Sequence, residues 1–232
     1  MMLLPAGRAG PVQVLGDAPS MVDALASVQA QIADSGASAG TAAGVAIVSE
    51  GGLDRAMGVE VRRRLAAGEV VLILAQPESA ATHYPVPVDL QTVEGDRDPP
   101  VFRFTTDCGA LPSFPRRDVV MDEDSTIQAR SVAVRVGDTA LPDTPVVIAC
   151  QPLPGPVTGT VVGSHQVGPG RLVFCQYQLC SGAANGDAAA RAVLADLIAW
   201  ASRPRRALVV EESRLADGRR VARYSHIPTV AR

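Results

Sequence analysis

Lysine is absent from this chain: all 21 of its basic residues are arginine. That absence removes Schiff-base lysine chemistry and the phosphate-gripping lysine of a P-loop from what the chain can do. Aromatic residues are scarce, at 3% against 47% hydrophobic residues overall, so the core has to be built from Val, Leu, Ile and Ala. No apolar run approaches the length of a membrane span. Positive charge is not in excess either. A formal net charge of -3 and a pI near 5.6 give no electrostatic reason to expect nucleic acid or an anionic membrane as a partner. The four cysteines (Cys108, Cys150, Cys175, Cys180) include no C-x-x-C pair, and the histidines (His83, His165, His226) share no H-x-x-x-H or H-E-x-x-H spacing. Neither a metal site nor a cofactor is expected. Cys150 and Cys175 lie in strand-like apolar runs, where a reduced, buried thiol is the expected state, and a cytoplasmic compartment follows from it. The apolar patch Met1–Pro5 is too short for the core of a secretory leader, and the early first strand suits a domain cut from, or translated separately from, a longer protein.

What is present is an alternation of strand and helix patterns. Val12-Gln13-Val14-Leu15, closed by Gly16-Asp17, reads as a buried strand. Ser20 is positioned to cap a helix whose apolar face is Val22, Leu25, Val28 and Ile32, with a stop near Gly36. Residues 35–44 read as a small-residue loop. Gly44–Val48 and Val70–Ala75 are continuous apolar runs, as expected of parallel strands covered on both faces, with a helix over Leu53–Ala67 between them. Short connections between such elements imply a mostly parallel sheet. Residues 78–143 break the pattern, with prolines at 85, 87, 99, 100, 112, 115 and 142 around short runs such as Val101–Thr105 and Ser131–Val136; a β-rich insertion is expected there. Val146–Ala149 is a further strand. Thr158–Val167 and Arg171–Leu179 read as a hairpin joined by Gly168-Pro169-Gly170, and Asp187 as the cap of an amphipathic helix facing inward with Ala190, Val193, Leu194, Leu197, Ile198 and Ala201. One α/β domain over 1–202 and a peripheral tail over 203–232 result.

This order of elements resembles the class I glutamine amidotransferase-like fold, a flavodoxin-like three-layer domain with a late β-hairpin and a C-terminal helix. Val70–Gln76 stands where that family carries its nucleophile strand, and Arg171–Gln178 where it carries its G-V-Q-F-H-P-E strand. Both reactive positions depart from the family pattern. In place of the G-x-C-x-G elbow the chain has Leu74-Ala75-Gln76-Pro77-Glu78, and the histidine position aligns with Gln178, which cannot act as a general base. Residues Gly168–Ala201 also resemble the non-catalytic accessory domain near the C-terminus of β-galactosidase-type, family 2-like glycoside hydrolases. The resemblance implies a degenerate domain without catalytic residues, with the parent hydrolase's domains or its own copies as partners.

Two other functions are compatible with these residues. Open α/β sheets bind ligands at the carboxyl ends of their strands, which makes Asp17, Glu50, Gln76 and Gln178 the candidate contacts of a small-molecule or sugar site. A hydrolase site within 78–143 is the other, and the carboxylate run Asp122-Glu123-Asp124 is its natural focus, although adjacent side chains on an extended segment diverge.

Overall fold

Valine-rich runs of four residues are too short to be stable alone and gain their stability by pairing and by covering both faces. The computed structural model of the chain, which describes residues 11–16, 18–33, 44–92, 101–104, 111–113, 131–136, 143–150, 157–203, 206–214 and 220–228, shows how this is done. Strands β1 (Val12–Leu15), β2 (Val45–Val48) and β3 (Val70–Ile73) pair in parallel, with Val12 opposite Val45 and Val45 opposite Val70. Next to β3 lies β9 (Gly170–Cys175), also parallel, with Val70 opposite Arg171. Antiparallel β8 (Val157–Val167) then joins β9 and carries the rest of a nine-stranded mixed sheet. On its far side are β6 (Ser131–Val136) with β4 (Val88–Thr92), and β7 (Thr144–Cys150) with β5 (Val101–Phe104). The region 78–143 therefore contributes antiparallel strands.

Helices cover the parallel half on both faces. Alternation along the strands sends Val45, Ile47, Leu72, Leu74, Val173 and Cys175 to one side, into a core with α1 (Pro19–Ser27), α3 (Cys180–Ala184) and α4 (Ala188–Ser202). Ala46, Val48, Val71, Ile73, Leu172 and Phe174 go to the other side, against α2 (Arg55–Ala66) and a 3₁₀ turn, Glu78–His83. The expected inner face of α4 is buried at every one of its six positions. Asp187 caps that helix, accepting from the N–H groups of Ala189 and Ala190 at 2.7 and 2.9 Å. The 78–143 region reaches both cores, since Leu111 joins the α1/α4 side and Leu90 the α2 side.

The first helix differs from the expectation. It starts at Pro19 rather than after a Ser20 cap, because the Ala18 carbonyl accepts from Met21 and Val22 and proline's fixed φ suits the first helical position. It ends at Ser27 and not near Gly36. Gln29 takes a left-handed φ of 55°, and Ile32 leaves the helix to bridge β1: Val12 donates to the Gln31 carbonyl at 2.7 Å, and Ala33 to the Val12 carbonyl at 2.8 Å. An edge strand with unpaired N–H and C=O groups outranks an apolar spacing. With that bridge counted as the second strand, the parallel order becomes 2-1-3-4-5, the flavodoxin-like order. α2 begins two residues later than expected, at Arg55, where the Asp54 carboxylate accepts from the Met57 N–H at 2.7 Å.

The outer surface of α2 is held by charge. Arg63 forks onto Glu60 with two 2.7 Å hydrogen bonds, and Arg64 reaches Glu60, Glu69 and Gln13. The Arg63 hydrogen bonds, opposed by partial burial and reinforced by Arg64, hold the Glu60 carboxyl down at about 2, below its ordinary 4.5. A depressed carboxyl stabilises the fold above its unfolded value and loses that contribution as pH falls through the folded one. A thermal melt of Glu60→Gln is therefore expected to lie below that of the unmodified chain by a constant gap down to about pH 4.5, and the gap should close towards pH 2. A gap that persists at low pH would mean that Glu60 acts by packing instead.

The chain divides into two units, Met1–Ser202 and Arg203–Arg232. The second consists of β10 (Arg206–Arg214) and β11 (Arg220–Pro228), an antiparallel pair in continuous register from Arg206 opposite Pro228 to Arg214 opposite Arg220. Among the described residues no helix is long and apolar enough to cross a membrane.

Candidate functional site

The carboxyl ends of β2, β3 and β9 converge, and each continues into a polar residue just past its last pairing. Leu74 still donates to the Val48 carbonyl, so β3 delivers Gln76 alongside the β2 exit, where Gly51 donates to Ala75. Gln76 is 2% exposed and its side chain is fully engaged. Its Oε1 accepts from the Leu53 N–H at 2.9 Å, and its Nε2 donates to the carbonyls of Ser49 at 2.7 Å and Leu74 at 2.8 Å. Its backbone N–H donates to Oε1 of Gln176 at 3.0 Å, and Gln176, fully buried, donates through Nε2 to the Tyr84 hydroxyl at 2.9 Å.

Tyr84 closes this chain from the 3₁₀ turn that follows Pro77. Arg62 on α2 donates to the Tyr84 carbonyl at 2.9 Å. Gly58 on the same helix lets the turn come close, because a Cβ there would stand 2.4 Å from the His83 carbonyl oxygen. Burial pushes the Tyr84 phenol well above its ordinary value, with the Gln176 hydrogen bond opposing it in part. Tyr84 is thus a neutral hydroxyl.

Glu50, just past β2, is turned to structural use. Its Oε1 accepts from the backbone N–H groups of Leu179 and Cys180, the latter at 2.8 Å, and so caps the short helix α3. The nearby thiols are unreactive by environment. Burial drives the Cys175 thiol far up, and burial together with the Glu50 charge pushes Cys180 up to about 12. A nucleophilic cysteine needs the opposite surroundings. Cys180 Sγ lies 3.3 Å from Met21 Sδ, inside the α1/α4 core. His83 belongs to the 3₁₀ turn whose Ala80 packs in the α2-side core, whereas both thiols lie in the α1/α4 core. His165 is remote from the strand tips: it sits on β8 opposite Leu172, near the start of β9, with Nδ1 3.2 Å from Asp143 Oδ1.

Of the four residues expected at a strand-end site, Glu50 and Gln76 lie at the tips, each bonded within the protein. Gln178 is half-buried beyond the end of β9, which stops at Cys175 and not at Leu179. Asp17 lies outside the described residues, as do Asp122, Glu123, Asp124 and Cys108. The residue that sequence reasoning missed is Gln176. Alternation puts Gln176 on the face of Leu172 and Phe174, the α2 side where Tyr84 packs, but no local pattern pairs it with the backbone N–H of Gln76. Among the described residues no group of three or more His, Cys, Asp or Glu is assembled as a metal site requires. No family model matches the chain, and no curated protein matches it.

Proposed function

We propose that this chain is a catalytically inert, amidotransferase-like accessory domain of a β-galactosidase-type glycoside hydrolase, acting in the cytoplasm through protein–protein contacts. The observation that carries the inert half is the commitment of the buried Gln76 side chain to backbone groups of Leu53, Ser49 and Leu74. An amidotransferase needs a thiolate at the tip of the third parallel strand and an imidazole at the tip of its neighbour. The tip of β3 holds the neutral amide of Gln76, spent on backbone groups, and beyond the end of β9 stand Gln176, which accepts from the Gln76 backbone N–H and donates to Tyr84, and Gln178 at the position aligned with the histidine. Amides at these positions supply neither nucleophile nor base. The association with a glycosidase is supported by the segment Gly168–Ala201, whose resemblance to the accessory domains of those enzymes coincides with the start of β9, α3 and α4.

Incubating the purified chain with glutamine and with chromogenic galactosides is expected to give no turnover above buffer. Sustained hydrolysis of either would overturn the inert reading. The hydrolase association has its own check in the flanking coding sequence, where a glycosidase barrel in frame or adjacent is expected.

A further inference from the structure

Asparagine occurs once in this chain, as Asn185, and a glycine follows it. The pair lies in the connection between α3, which ends at Ala184, and α4, which begins at Ala188, and both residues are exposed. Asparagine is thermally labile, and the lability is realised where the next backbone nitrogen can reach the side-chain carbon. Gly186 has no Cβ to hinder that approach.

The surroundings of the pair favour the reaction more than they resist it. The Asn185 carboxamide is loosely held, with Nδ2 at 3.5 Å from Ser181 Oγ, beyond the range of a good hydrogen bond. Helix α3 has five residues, too few to secure its last turn by helix propagation. The Arg191 guanidinium lies against the glycine, since its Nη2 would stand 3.4 Å from a Cβ placed on Gly186. A cation there stabilises negative charge developing on the backbone nitrogen and on the carboxamide oxygen. The neighbouring Asp187 carboxylate is engaged by the N–H groups of Ala189 and Ala190. Against these stand one hydrogen bond, from the Gly186 N–H to the Ala183 carbonyl at 3.2 Å, and the Asn185 ψ of 2°, which has to rotate before the nitrogen meets Cγ.

We infer that Asn185 is a self-modification site, at which the native chain converts its one asparagine to a mixture of aspartate and isoaspartate. The Gly186 nitrogen loses its proton to solvent base and attacks Asn185 Cγ. The bond from Cγ to Nδ2 breaks, and the nitrogen leaves as ammonia with a proton from solvent. Water then opens the five-membered imide at either carbonyl, so that one water is consumed and one ammonia released, with no change of oxidation state. The isoaspartyl product carries an extra methylene in the main chain between two helices that pack closely, a Cβ on Gly182 standing only 3.0 Å from Ala190 Cβ. The inference rests on the α3–α4 junction and not on the strand tips, so either reading can fail while the other stands.

The test incubates the intact native chain beside a guanidinium-unfolded sample and follows intact mass, released ammonia and the peptide that carries residue 185. Exchange of NH₂ for OH confined to residue 185 is expected, with isoaspartate detected by an isoaspartyl-directed methyltransferase. One hydrogen bond and one torsion separate the native from the reactive geometry, so the native chain is expected to react no more than about a hundredfold slower than the unfolded one. Asn185→Gln replaces an exposed residue and closes a less favourable ring, and it is expected to abolish the change. A larger gap between native and unfolded samples overturns the inference. So does a mass change that persists in Asn185→Gln, or a product that is aspartate without isoaspartate.

Discussion

Gln76→Leu is expected to destabilise the fold by about 3–5 kcal/mol, because three buried backbone groups lose their partner at about 1–3 kcal/mol each, against a modest gain from the apolar side chain. The three are the Leu53 N–H and the carbonyls of Ser49 and Leu74. They belong to the exits of β2 and β3 and to the approach to α2, so a single side chain stitches three segments together. Leucine is close to glutamine in size, which keeps overpacking out of the comparison. Urea unfolding monitored by circular dichroism measures the loss, with an unchanged denaturant slope needed for it to be read as stability. A loss below about 1 kcal/mol would mean that water takes over all three partners, and that the tips are open rather than sealed. The same experiment bears on function, since a Gln76 side chain committed to these three groups is not offered to a ligand.

Gly170→Ala carries the second large effect. A Cβ at Gly170 would stand 2.4 Å from the Leu65 carbonyl oxygen, 2.6 Å from Leu65 Cα and 2.9 Å from the Glu69 carbonyl oxygen. All three atoms are backbone, at the end of α2 and the start of β3, and cannot swing aside. Overpacking of this kind costs about 1–3 kcal/mol and occasionally more, and the rigidity of the obstacle places this site at about 3 kcal/mol or above. Gly168→Ala is the informative comparison. Gly168 has a positive φ of 55° in the two-residue turn but open space around its Cβ position, so its cost is backbone strain alone, about 1–2 kcal/mol. Thermal melts of the two variants should rank Gly170→Ala as the more damaging. The reverse order would show that the close approach of β9 to the α2–β3 connection relaxes without penalty.

That ranking shows how far local sequence rules reach. Gly168-Pro169-Gly170 announces a hairpin, and the turn rule assigns its glycine requirement to the first position, where φ is positive. The stricter requirement at Gly170 comes from Leu65, more than a hundred residues earlier, and no local pattern contains it. The strand tips behave alike. Gln76 was legible as a polar residue ending an apolar strand, and the absence of cysteine and serine from 74–78 was plain. Which glutamine it meets depended on where β9 ends, and the alternation Gln176-Tyr177-Gln178-Leu179 is compatible with a longer strand than the one that forms. The first helix was overextended for a related reason: Val28 and Ile32 do fit a helical face, but the edge of β1 claims the chain after Gln29.

By itself the sequence determined the strands β1, β2 and β3 and the helices α2 and α4 of the parallel half, the α4 face that turns inward, the late hairpin, and the lack of a nucleophile at the third strand's tip. These are consequences of solvation, because a segment buried on both faces has to be apolar throughout and a segment buried on one face has to be apolar at its own period. The tertiary structure alone decided the partner of Gln76, the capping role of Glu50, the sealing of the thiols into the α1/α4 core, and the clearance that Gly58 and Gly170 provide. Each of these depends on backbone groups brought together from distant parts of the chain, and the needs of a peptide N–H or carbonyl leave no mark on the residue types around it.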